Sequence, residues 1–187
     1  MLFLFGIVDV GRLMWEWNRA EKATQMGVRT AVVANPVASG IAAYSYSIDG
    51  PIPQGDIVPQ AQFGGIECTA DACTCLNDGG VCPDGIIGDD APDDAAFASI
   101  VTAMQGIKGD ITSADVVVDY RYSGLGFAGD PNGPDVAPLV TVRLRNLTFM
   151  PMILFGAAEL ELPGFAATLT MEDGSGEVDD STSFCEA

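Results

Sequence analysis

The chain has 187 residues, 48% of them apolar, and carries 26 acidic against 8 basic side chains for a formal net charge of −18. That length suits one globular domain with a helix in front of it, and that apolar content supplies a core, which excludes wholesale disorder. The negative surface repels phosphate backbones, which excludes nucleic acid, and the absence of histidine removes the commonest general base, every Ser-His-Asp arrangement and every imidazole metal site.

The charge is unevenly placed. Residues 1–34 hold Arg12, Arg19, Lys22 and Arg29 against Asp9, Glu16 and Glu21, a net of +1, which leaves 4 basic and 23 acidic residues, a net of −19, for the rest. No lysine or arginine occurs between Arg29 and Lys108. Such acidity keeps an exposed domain soluble and from adhering to its own kind.

From Leu2 to about Ala34 nothing breaks a helix except two glycines, and Pro36 then stops it. At roughly 1.5 Å per residue this is a rod of about 50 Å. Leu13, Trp17, Ala20, Thr24, Gly27 and Ala31 step by four and three residues and draw one face along it. Most of these are small, so a second backbone can approach closely. Arg12, Glu16, Arg19 and Lys22 fill another face, with Arg12–Glu16 and Glu16–Arg19 at pairing distance. The lower part of the rod is expected to meet neighbours or lipid, and the upper part its own domain. Met1 to Val8 is too short to cross a bilayer, which takes about 20 residues, and it has no signal-peptide cleavage site. It is expected to be the end of a longer apolar segment.

After the helix, residues 1–35, an acidic α+β domain is expected over 36–187. Gly40 to Ile48 is ambiguous between strand and short helix. Residues 49–88, dense in Gly, Pro, Asp and Cys, read as a disulfide-stapled loop. A second, short helix is expected from Pro92 to Gln105, with Phe97, Ile100, Val101 and Met104 as its apolar stripe and Gly106 closing it. Asp115 to Tyr122 alternates as a strand, and so does Leu139 to Leu147. Ala158 to Leu162 and Phe165 to Met171 complete an antiparallel sheet, and the acidic tail from Glu172 follows.

Five cysteines fall at Cys68, Cys73, Cys75, Cys82 and Cys185. The first four are spaced x4, x1, x6, without the paired CxxC knuckles of a strong zinc site, and disulfides are the better assignment. Cys73 and Cys75 are too close to bridge each other, Cys185 can staple the tail to the loop, and one thiol stays odd.

No two carboxylates stand out from the general acidity, and nothing around Lys108 points to a buried site, so no catalytic, cofactor or metal residue is assigned. The segments around Asp130 to Asp135 and Asp173 to Asp180 mix carboxylates with glycine as calcium loops do, but neither has the twelve-residue EF-hand spacing. Asn146-Leu-Thr148 fits a glycosylation triplet, against which its strand position counts. Phe149 to Phe155 is uncharged, and is either core or an apolar patch for a neighbouring subunit.

The opening resembles the TadE-like family of pseudopilins from tight-adherence pilus systems. The resemblance is carried by Gly6-Ile-Val-Asp9-Val-Gly11-Arg12-Leu-Met-Trp15, by Ala20 and Ala23, and by Gly27-Val28-Arg29-Thr-Ala31-Val-Val. Members of that family start with a short basic leader, a peptidase cleavage point and a glutamate early in the apolar segment; none precedes Met1, and Asp9 matches the later acidic position. The resemblance implies a pilin-like fold, an inner-membrane anchor before assembly and an outward-facing domain at a bacterial cell surface. It implies other pilin subunits and the inner-membrane assembly machinery as partners. A tethered extracellular module that binds a glycan or calcium, through Asp173 and Asp179, is the alternative from a different class.

Overall fold

The computed structural model describes residues 2–88, 91–131, 133–152 and 159–171. Thirty-two residues free of proline form helix α1, Leu2–Val33, which ends just before Pro36. The chain then folds back through a one-turn helix, α2, Gly40–Ala43, which resolves the ambiguity of that segment at its first half. Glycine opens α2 because a Cβ at Gly40 would collide with the carbonyl oxygen of Gly85 and the backbone of Ile86, so two chain segments cross here with no room for a side chain. The third helix, α3, runs over Asp94–Gln105, and the Asp93 carboxylate caps it by accepting from the Ala96 amide at 2.9 Å. Its stripe of Phe97, Ile100, Val101 and Met104 is buried, as the spacing predicts.

Among the described residues seven strands follow the chain: β1 Ile66–Cys68, β2 Cys73–Cys75, β3 Val116–Arg121, β4 Leu139–Leu144, β5 Thr148–Phe149, β6 Leu160–Glu161 and β7 Phe165–Thr170. Five make one antiparallel sheet in the order β2-β1-β3-β4-β7. Helix α1 lies across β4 and β7 with α3 beside it, giving an α+β fold with helices on one face of the sheet. The register sets Val118 opposite Val142 and Cys68, and Tyr120 opposite Val140 and Ile66, so these six side chains share one buried face. The Tyr120 hydroxyl accepts from the Val37 amide at 2.9 Å, so the central strand satisfies the backbone just where α1 has ended. Burial pushes this phenol well above the ordinary tyrosine range.

The opposite face of the sheet is polar. Arg143 on β4 pairs with Glu67 on β1 and, at 2.6 Å, with Asp119 on β3. Asp119 is almost fully buried. Burial pushes its carboxyl above the usual aspartate range, Glu67 adds to this, and Arg143 pulls the other way without cancelling it.

Three expectations are corrected. Residues 49–88 are not wholly loop, because β1 and β2 lie within them. Each strand has three residues, too short to show alternation; β1 is held by pairing with β3, β2 by pairing with β1, and both by local disulfides. The strand expected to end at Leu147 stops at Leu144, since Asn146 takes a left-handed φ of 60°. The segment expected around Ala158 to Leu162 does not extend the main sheet, for among the described residues β6 pairs with β5 as a separate ribbon.

The two disulfides among the described residues are local. Cys68–Cys73 crosses directly between opposed residues of β1 and β2, and Cys75–Cys82 ties the end of β2 to the following turn. Cys73 and Cys75 therefore each pair elsewhere, as their closeness requires. Cys185, together with Ile153 to Phe155 and the acidic tail from Glu172, lies outside the described residues.

Candidate assembly surface

The face expected to run the length of α1 divides in two. Ala20, Thr24, Gly27 and Ala31 are buried against the chain's own sheet and α3. A Cβ on Gly27 would stand 2.7 Å from Met104 Sδ and 3.3 Å from Val142 Cγ1. Thr24 tolerates burial because its hydroxyl donates to the Ala20 carbonyl at 2.8 Å. The close approach expected of a second backbone along this face is taken at Gly27 by Met104 and Val142 of the same chain, and Ala20 too is buried within it.

Leu13 and Trp17 belong to the other half. Leu13 is half-buried and Trp17 exposed, its ring edge-on to Phe165 with centroids 5.1 Å apart. Below them Ile7, Val8, Val10, Met14 and Trp15 stand in the open, Met14 at 62% exposure. Val10, Leu13, Met14, Trp17, Asn18 and Glu21 line a groove of about 470 Å³ along the helix. Single exposed apolar residues are ordinary on any surface, whereas a contiguous stripe of this kind is uncommon on a monomer.

Ion pairs mark where the helix leaves the domain. Glu16 meets Lys108 Nζ at 2.9 Å, and Lys108, itself buried, also meets Asp110 at 2.6 Å. Burial alone would raise the Asp110 carboxyl, but the hydrogen bond and charge of Lys108 hold it below the usual range. Arg19 donates twice to the Ile107 carbonyl, at 3.0 and 2.8 Å, and stacks over Trp15 at 4.5 Å. The sequence showed no sign that Lys108 is buried, because its partner Glu16 lies ninety-two residues away. Of the two pairs expected along the helix, Glu16–Arg19 forms at 3.8 Å, whereas Arg12 turns toward Asp9.

A second tie lies lower. The buried Asp9 carboxylate accepts from the Met152 amide at 3.0 Å, and Arg12 sits 3.7 Å from Asp9 and 5.4 Å above the Phe149 ring. The pair thus seats residues 149–152 against the rod. Phe149 is buried there while Met150 and Met152 are exposed beside the apolar stripe. Sequence pattern marked this segment as apolar, but its attachment through Asp9 was not legible.

Among the described residues no group of three or more metal-ligating side chains gathers, and Asp173 and Asp179 lie outside them. In the turn read as calcium-like, Asp135 is buried and engaged with backbone, accepting from the amides of Tyr46 at 2.6 Å and Asp130 at 3.1 Å. No helix among the described residues is long and apolar enough to cross a membrane.

Residues 1–29 match the TadE-like protein family, so the match covers this exposed half of α1 and the start of its buried half. No curated protein and no solved structure matches the chain.

Proposed function

We propose that the chain is a structural subunit, a pseudopilin or minor pilin, of a tight-adherence-type pilus at the bacterial cell envelope. The observation that carries this reading is the division of α1 inside its TadE-like segment: the upper half is built into the domain, and the lower half, beside the seat of residues 149–152, presents an apolar face that the other described residues leave uncovered. A rod of this kind is stabilised by helices of neighbouring subunits or by lipid before assembly, and the acidic domain stays in water. The partners are other pilin subunits and the inner-membrane assembly machinery, and the work is assembly or adhesion, with no reaction.

The test is to place Val10→Glu and Met14→Glu together in the native host. Both side chains are exposed, so the melting temperature of the domain should hold while surface pili are lost. Normal piliation with the double variant would refute the reading.

A further inference from the structure

A second face of α1 is left uncovered by the described residues, on the side opposite Ala20, Ala23 and Gly27. Lys22, Met26, Arg29 and Val33 follow at intervals of four, three and four residues, which puts them in one stripe. All four are exposed, and among the described residues no ion pair reaches Lys22 or Arg29. Two free cations about 10 Å apart thus flank a methionine on a chain of net charge −18.

The same chain displays a complementary surface. Past the end of β3, Ile57 and Phe127 face each other across an isolated antiparallel bridge, fixed by Gly55 N–H to Ala128 C=O at 2.8 Å and Ala128 N–H to Asp56 C=O at 2.9 Å. Both side chains are more than half exposed, as is Leu125 nearby. The Asp56 carboxylate is exposed beside Ile57, with no cation paired to it among the described residues. It belongs to the stretch between Arg29 and Lys108, which holds acids and no basic residue at all.

We propose that the Lys22–Val33 stripe of one copy docks on the Asp56, Ile57 and Phe127 patch of a second copy. Cations meet a carboxylate at the rim, and Met26 and Val33 meet Ile57 and Phe127 in the middle. The two surfaces are different and lie on different parts of the fold, since α1 packs along β4 and β7 while the bridge lies past β3. The contact joins two different surfaces, so a copy docked head-to-tail leaves one stripe and one patch unfilled, and the series extends as a filament where the rotation between copies does not close it into a ring. The proposal rests on the reading of the chain as a filament subunit, and adds a domain-level contact to the one made by the lower half of α1.

The test is sedimentation of the purified full chain carrying Val10→Glu and Met14→Glu, so that the lower rod is silenced. Concentration-dependent association is expected at low salt and should weaken as salt rises. Lys22→Glu with Arg29→Glu should weaken it about tenfold, and so should Asp56→Lys alone. Combining all three substitutions reverses both surfaces and should restore association. A chain that stays monomeric throughout, charge reversals without effect, or a triple variant that is not restored would each overturn the proposal. Binding of phosphatidylserine vesicles that is lost on reversing Lys22 and Arg29, with self-association unchanged, would assign the stripe to lipid instead. Piliation that survives Val10→Glu and Met14→Glu refutes the filament reading by a separate measurement.

Discussion

Gly27 lies against Met104 so closely that the smallest side chain at position 27 would stand 2.7 Å from the methionine sulfur. The helix and α3 meet there without a gap, and Val142 closes the third side. Gly27→Leu should therefore destabilise the isolated chain by about 1–3 kcal/mol through overpacking. Chemical denaturation checks this. A Gly27→Leu chain as stable as the parent would show that α1 sits further from the sheet.

The Tyr120 hydroxyl is the acceptor for the buried Val37 amide. Tyr120→Phe keeps the ring and removes the oxygen, which leaves that donor without its partner. The expected cost is about 1–3 kcal/mol, well above that of an exposed Tyr→Phe change. Tyr122→Phe, whose hydroxyl donates to the Val58 carbonyl at the margin of the core, is the comparison and should cost less. Equal effects would contradict the assignment.

Asp119 carries a pH signature. Its carboxyl is held above the ordinary value, so between that value, about 3.9, and the raised one the folded chain binds more protons than the unfolded chain. In that window this group's contribution to stability falls as pH rises. Asp119→Asn cannot ionise, so the difference in melting temperature between variant and parent should shift in favour of the variant as pH rises through the window. Parallel curves for the two chains would remove Asp119 from the balance.

The two disulfides close short segments, with five and seven residues of separation. Loop-closure entropy then assigns each about 2 kcal/mol. Replacing Cys68 and Cys73 by alanine should lower stability by about that amount and loosen the β1–β2 edge, with the β3–β4 pairing intact. Amide exchange at Glu67 and Thr74, compared with Val118 and Val142, reads both. An unchanged exchange rate at the edge would show that pairing to β3 alone holds β1.

Much of this fold was legible before any coordinate. Helix α1 declared itself by length and by the proline that ends it, α3 by its cap and four-residue stripe, and β3 and β4 by alternation. Strands β1 and β2 were hidden because three residues cannot establish a period of two. What holds β1 is a partner strand some fifty residues on, and β2 in turn pairs with β1. The site shows the same division. Composition marked α1 as an interaction helix, and the small-residue spacing traced a face. Spacing cannot say which body occupies that face, and from Ala20 upward the occupant is the chain's own core. Asp9 and Lys108 escaped notice because their partners, Met152 and Glu16, are joined to them only by the fold.

The Asp9–Met152 and Glu16–Lys108 ties have a mechanical consequence. Tension along α1 from its lower end meets the Asp9–Met152 tie first, and then the Glu16–Lys108 pair together with the Trp17–Phe165 contact at the start of β7. These attachments carry load one after another, so they yield in sequence and dissipate a tug locally.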